Sequence, residues 1–232
     1  MKKLGLAQAF LPVLVLGLTS CQKDEQYTRP EEIKEFTVLY DHNCSGCHGP
    51  DGRNGAAQPL NDPLYEHLVN KDQLHKVIAQ GRPGTSMTGW SKAAGGILTD
   101  EQIDILVNGL QDKWRGSQDF AGMPQYEAAG QGDPKRGLAA YQTYCASCHG
   151  PDGNGGKAGS IVNASLLGLV TNQSLRTTVI AGRSDMQIPD WRGYVPNHAM
   201  TDQEISDVVA WLASLRPSTT LVGESHPPKE NQ

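Results

Sequence analysis

Cys44-Ser45-Gly46-Cys47-His48 and Cys145-Ala146-Ser147-Cys148-His149 are where side chains of high chemical capacity crowd together in this 232-residue chain. Three chemistries use such residues. A thiol pair can cycle as a dithiol–disulfide couple, but that motif sits in a strand–helix alternation, which is absent here. Cys, Cys and His can hold zinc, but neighbouring Cys and His ligands are awkward in geometry, and neither motif has a second cysteine pair nearby. The third is covalent haem attachment. Both thiols add to haem vinyl groups as thioethers, and the adjacent imidazole supplies an axial iron ligand. The two-residue gap lets both sulfurs reach one porphyrin edge from a single helical turn. The repeated motif points to two covalently bound haem c groups, held by Cys44, Cys47, Cys145 and Cys148, with His48 and His149 on the iron.

The elements that must position these residues occur twice. The cysteine motif, Gly81-Arg82 and Trp90 recur 101 residues later, at Cys145–His149, Gly182-Arg183 and Trp191. Thr99–Ile103 recurs as Thr201–Ile205, at an offset of 102. Two long copies mean two domains rather than a solenoid. The chain divides into a leader (1–20), a tether (21–30), domain one (31–115), a linker (116–130), domain two (131–217) and a disordered tail (218–232). The linker is rich in Gly, Ala and polar residues and reads as allowing domain motion.

Each domain reads as about three helices, so the fold class is all-α. The first helix ends at the cysteine motif. Ile33, Phe36, Thr37 and Tyr40 mark its face in domain one. In domain two, Asp133 caps it, Pro134 opens it, and Gly137, Tyr141 and Cys145 share a face. A middle helix carries Leu74, Val77 and Ile78, or Leu175, Val179 and Ile180, and stops at Gly81 or Gly182. The last helix opens on a capping box, Thr99–Gln102 or Thr201–Glu204. Its apolar face is Ile103, Leu106, Val107 and Leu110, or Ile205, Val208, Val209 and Leu212. Phe36 and Gly109 in domain one exchange sizes with Gly137 and Trp211 in domain two. Such compensation is expected if first and last helices cross at those positions.

The N-terminus has its own logic. Lys2 and Lys3 precede an apolar stretch from Leu4 to Leu18, shorter than the ~20 residues of a membrane-spanning helix. It ends in Leu18-Thr19-Ser20-Cys21, which resembles the bacterial lipobox. That resemblance implies cleavage before Cys21, lipidation of its thiol and anchoring of an exported protein to a bacterial membrane, facing the periplasm. The alternative is an ordinary secretory signal with Cys21 left free. Composition excludes other classes. A formal charge of −5 leaves no basic surplus for nucleic acid. Aromatic residues are only 6% of the chain, so the core must be filled by something other than large side chains.

Both units resemble class I c-type cytochrome domains over nearly their whole length. The resemblance is carried by Cys47-His48-Gly49-Pro50-Asp51-Gly52 and Cys148-His149-Gly150-Pro151-Asp152-Gly153, by the Gly-Arg end of the middle helix, and by the amphipathic last helix. The whole chain resembles lipid-anchored dihaem cytochromes that serve bacterial respiratory complexes. The resemblance implies that haem is each domain's core and that the function is electron transfer, not catalysis. The partners it implies are a quinol-cytochrome c reductase, a terminal oxidase or a dehydrogenase. Domain one holds twelve acidic and eight basic residues over 31–115, which favours a basic partner.

The family usually places a methionine after the middle helix. Met87 fits that pattern. In domain two, Ile188-Pro189 stands opposite Met87-Thr88, and isoleucine cannot bind iron. Met186, Met200 and His198 are the candidates for the second haem's sixth ligand, with Met186 first. An open position is the remaining possibility, and it would make the chain a dihaem peroxidase or a small-ligand sensor. His42, His67, His75 and His226 lie on polar stretches and read as solvated.

Overall fold

The computed structural model describes residues 27–217. The leader, Cys21, most of the tether, the tail and His226 lie outside the described residues. Domain one is built from α1 (Phe36–Asn43), α2 (Ser45–His48), α3 (Pro63–Leu68), α4 (Lys71–Gln80) and α5 (Asp100–Trp114). Domain two repeats the order with α6 (Pro134–Tyr144), α7 (Ala146–His149), α8 (Ala164–Leu169), α9 (Asn172–Ala181) and α10 (Asp202–Ser214). Among the described residues there are isolated β-bridges but no strands. The expected all-α class is therefore what the chain adopts. Beyond the three expected helices, each domain has two short α-helices, the turn of the cysteine motif and α3 or α8, besides 3₁₀ turns.

The helix boundaries follow from local chemistry. Thr99 and Thr201 each accept a hydrogen bond from the third helical N–H, and the Gln102 and Glu204 side chains accept one from the cap amide. Asp133 accepts from the Lys135 and Arg136 amides, with Pro134 at the first helical position. Gly81 and Gly182 end the middle helices at φ 71° and 69°. A Cβ there would fall 2.5 Å from backbone atoms of the following loop, so only glycine lets the chain fold back so closely. In domain one, α1 starts at Phe36, so Ile33 lies before the helix. Its carbonyl accepts from Gln102 Nε2 on α5 instead.

The first and last helices cross at the size-exchanged pair. A Cβ on Gly109 would lie 2.1 Å from the Phe36 ring, and one on Gly137 would lie 2.7 Å from Trp211 Cβ. In domain two the Trp211 indole covers Tyr141, at 4.3 Å between centroids. In domain one Gly109 cannot supply that ring. Trp114, one and a half turns further along α5, swings back over Tyr40 at 5.2 Å. Both indoles end beside equivalent glycines, Gly52 and Gly153. The same space is filled from two different sequence positions.

Domains one and two are not loosely strung. The linker's Phe120 packs edge-on against His67 and lies under the Arg192 guanidinium. The Gln125 and Tyr126 carbonyls accept hydrogen bonds from Arg176 and Gln173 on α9. The Tyr126 hydroxyl accepts from Arg82. The expectation of a linker that frees domain motion is not met, because its backbone and aromatic side chains are bound to both domains. His67 is likewise half-buried against Phe120, its Nδ1 bonded to the Pro63 carbonyl, rather than solvated.

Behind α3 sits a fully buried carboxyl. Gln111 Nε2 donates to Glu66 Oε2 at 2.9 Å, and Arg115 donates to the Glu66 backbone carbonyl at 2.7 Å. Glu66 Oε1 has no partner. Burial pushes this carboxyl up to about 8, only partly opposed by the Gln111 bond and the Arg115 charge.

Two outcomes are expected. Gly109→Trp drives an indole into the Phe36 ring and costs about 3 kcal/mol. Adding Phe36→Gly recovers most of that loss, so denaturant unfolding of the pair is strongly non-additive. Glu66 stays protonated in the fold while the unfolded chain ionises near 4.5. Its contribution to stability is complete below that pH, and is lost as pH rises to about 8. Glu66→Gln removes this decline, as unfolding midpoints measured across that range would show.

Candidate haem-binding site

Each cysteine motif forms one helical turn whose geometry is set by the backbone. The His48 amide donates to the Cys44 carbonyl at 3.0 Å, and the His149 amide to the Cys145 carbonyl at 3.0 Å. The chain then reverses at Gly49 and Gly150, with φ of 84° and 82°. The hydroxyls of Tyr40 and Tyr141 donate to the carbonyls of those same glycines. The returning loop is pinned by Ala57 and Ala158, whose amides donate to the Cys47 and Cys148 carbonyls. Helix, turn and loop thus hold both sulfurs and the imidazole in one small frame.

The imidazoles are oriented for a metal. His48 Nδ1 lies 2.8 Å from the Gln58 carbonyl, and His149 Nδ1 lies 2.9 Å from the Gly159 carbonyl. A carbonyl can only accept, so each ring carries its proton on Nδ1 and leaves the Nε2 lone pair free. Burial lowers the His48 pKa, opposed by the bond to the Gln58 carbonyl and reinforced by the facing Arg183 and Arg82 charges. Burial also pushes the Cys44 and Cys145 thiols up to about 12, each with a smaller contribution from its partner cysteine. Reactive dithiols show the opposite shift, so the redox-couple chemistry finds no support in these surroundings. Nor do the described residues contain a cluster of three or more His, Cys, Asp or Glu able to bind a metal alone, as the zinc reading requires.

One continuous cavity of about 980 Å³ is lined by both cysteine motifs. Its walls include Leu74, Val77 and Ile78 of α4, Leu175 and Val179 of α9, and Leu106 and Leu110 of α5. These are the apolar faces predicted from periodicity, and they border the cavity as well as packing into the core. Interiors of folded proteins are close-packed, so an apolar space of this size beside paired thiols and a free imidazole nitrogen fits a large planar cofactor. The four cysteines, both histidines and both loop methionines border the same space.

The loops after the middle helices explain the difference between copies. The Arg82 amide donates to the Met87 carbonyl at 2.7 Å, and the Arg183 amide to the Ile188 carbonyl at 3.0 Å. Ile188 therefore occupies the place of Met87 in the fold as in the ungapped alignment. Met87 and Met186 both line the cavity. Met186 sits on a 3₁₀ turn at the loop tip and is 55% exposed. The other two candidates are elsewhere. Met200 is 2% exposed, with its amide donating to the Trp191 carbonyl. That is the role of Leu98 in domain one, whose amide donates to the Trp90 carbonyl. His198 stacks on Tyr144 and hydrogen-bonds its hydroxyl. Neither lines the cavity.

Sequence reading missed the contacts between domains. Gln58 Nε2 donates to the Gly182 carbonyl, Arg183 Nη2 to the Gly55 carbonyl, and Ser184 Oγ to Asp62 Oδ2. Arg82 donates in the reverse direction, to Ser174 Oγ. The repeated Gly-Arg pair was visible, but nothing in the spacing says that each arginine reaches into the other domain.

Two helical units with paired thiols and a metal-ready imidazole on one cavity define a dihaem c-type cytochrome. Comparison with known proteins agrees. The family described as "Cytochrome C oxidase, cbb3-type, subunit III" matches residues 31–108, and the family described as "Cytochrome c" matches residues 134–216. The chain therefore carries two cytochrome c domains and two covalently bound haem c groups. It is similar to the cbb3-type cytochrome c oxidase subunit CcoP of Rubrivivax gelatinosus, 31% identical over 150 residues. That match covers 64% of this chain and 43% of the relative, so the chain spans less than half of that protein. Among solved structures, a chain of a reducing HAO-like protein complex of Kuenenia stuttgartiensis is 18% identical with a TM-score of 0.48. The similarity covers 80% of this chain and 99% of that one. The dihydro-haem d1 dehydrogenase NirN is 32% identical with a TM-score of 0.29, over 39% of this chain and 17% of its own.

Proposed function

We propose that this dihaem cytochrome passes electrons between membrane respiratory proteins, as an anchored carrier or as a bound subunit. The observation that carries the reading is the single cavity bordered by both cysteine motifs and by Met87 and Met186. Haem iron supplies one-electron chemistry by cycling between its ferric and ferrous states. The chain's residues do the rest. Cys44 and Cys47 fix one haem, and Cys145 and Cys148 the other. His48 and His149, each held by its Nδ1 bond to a carbonyl, would offer Nε2 to the irons. Met87 and Met186, which line the same cavity, would offer thioether sulfur, and the apolar walls would keep water away. Thioether sulfur paired with imidazole favours the reduced state more than two imidazoles do.

The donor and acceptor belong to the same proposal. Similarity to a cbb3-type oxidase subunit supports a terminal oxidase as acceptor, with a quinol-cytochrome c reductase or a dehydrogenase as donor. The lipobox-like Leu18–Cys21 supports a lipid anchor on the periplasmic face through Cys21. Among the described residues no helix is long and apolar enough to cross a membrane. One observation favours a second reading. Ile188 stands where Met87 does, and Met186 is 55% exposed at its loop tip. A sulfur so placed can leave the iron, which would open the second haem to small ligands.

The near-infrared spectrum of the oxidised holoprotein separates these readings, because methionine sulfur on ferric haem gives a weak charge-transfer band. Two bands' worth of intensity per chain is expected. Met186→Leu is expected to halve it and to admit carbon monoxide after reduction, whereas Met200→Leu leaves it unchanged. Half intensity in the unaltered protein, with carbon monoxide binding, favours the ligand-binding reading instead.

A further inference from the structure

The two proximal histidines are held by equivalent carbonyls, but the residues that own those carbonyls differ. Gln58 and Gly159 are 101 residues apart, the offset of the repeat. Gly159 has no side chain. Gln58 has one, and its amide Nε2 donates across the domain boundary to the Gly182 carbonyl at 3.1 Å. The loop around it is bound by the same stretch of domain two. Arg183 Nη2 donates to the Gly55 carbonyl at 3.0 Å, and the Asn54 amide donates to Asp185 Oδ2 at 3.1 Å. Domain two therefore grips the residue whose carbonyl orients His48. Among the described residues, domain one has no such handle on His149.

We infer that Gln58 is a positioning residue through which domain two sets the reduction equilibrium of the first haem, with no counterpart for the second. This rests on the proposed role of His48 as the first haem's axial ligand. The physical chain is short. A carbonyl accepting from Nδ1–H makes the imidazole a stronger electron donor, and a stronger donor stabilises the ferric state. The carbonyl keeps that bond only while it stays in place. Releasing the side chain lets the loop drift, weakens the bond and makes the first haem easier to reduce. By linkage, the oxidation state of the first haem biases how firmly the domains dock.

The test is a spectroelectrochemical titration of the full-length holoprotein. Met87→His first assigns the waves, because it lowers the first haem's wave alone. If it lowers neither, the proposed ligand set is wrong, and this inference falls with it. Gln58→Leu keeps the bulk of the side chain and removes both its bonds to domain two, to the Gly182 carbonyl and from the Thr178 hydroxyl, and Gln58→Ala is the second variant. Both are expected to shift the first haem's equilibrium toward reduction several-fold, short of the tenfold that equals 59 mV for one electron. The second haem's wave should not move. The low-spin ferric electron paramagnetic resonance signal of the first haem should shift in the same variants, reporting the reoriented ring. Ser184→Ala cuts a different contact across the same boundary, to Asp62 at 2.7 Å, and is expected to leave both waves in place. Unchanged waves in both Gln58 variants overturn the inference. So does an equal shift of the two haems, or a Ser184→Ala shift that matches Gln58→Leu, since either would mean general loosening of the domains.

Discussion

An apolar space that no side chain fills is the constraint on which the rest of this structure depends. The chain has three Phe and four Trp in 232 residues, too little bulk for two close-packed cores. Each middle helix turns part of its apolar face toward the cavity while the rest packs on the last helix. The cysteine turns tie that cavity's contents covalently to the backbone, and the crossing of first and last helices braces the turns from behind. Core and cofactor site are one feature here. What removes the haem also removes the centre of the domain.

The brace shows how a repeat can diverge without losing its geometry. Domain two places a glycine on its first helix and a tryptophan on its last. Domain one does the opposite, and then recovers the missing indole from Trp114. The tyrosine beneath each indole donates to the glycine carbonyl that follows the motif histidine. Packing at the helix crossing and orientation of the haem ligand are thus consecutive links in one chain of contacts. Function diverged in the loops instead. Equal loop lengths after Gly81 and Gly182 put Met87 and Ile188 at the same bridge and leave Met186 at the loop tip.

Much of this was legible in the sequence, for physical reasons. The cysteine motifs are local, and the capping boxes and helix-ending glycines report backbone chemistry of their own segments. The exchanged pair of large and small residues was visible because the repeat supplies its own alignment. Other features depend on distant partners and leave no local trace. Gln58 looks like any polar loop residue until Gly182 is seen beside it. Glu66 is the one carboxylate of a short helix, between Tyr65 and His67, and its burial follows from where α5 passes. The linker's composition suggested freedom, but Phe120, Met123 and Tyr126 found apolar and arginine-lined surfaces to bind. Met200 and Met186 could not be ranked by spacing. Met200 is a core residue because its amide continues the hydrogen-bonded approach to α10, and Met186 borders the cavity from the exposed turn at its loop tip.

The central claim is that two haems on one cavity work as a single conducting unit. Its most direct test is the fate of a single electron injected into the fully oxidised holoprotein by a brief, substoichiometric reducing pulse. The electron should redistribute between the two haems in a first-order step whose rate does not depend on protein concentration. A rate that rises in proportion to concentration would mean that electrons pass only between molecules, and would contradict the account.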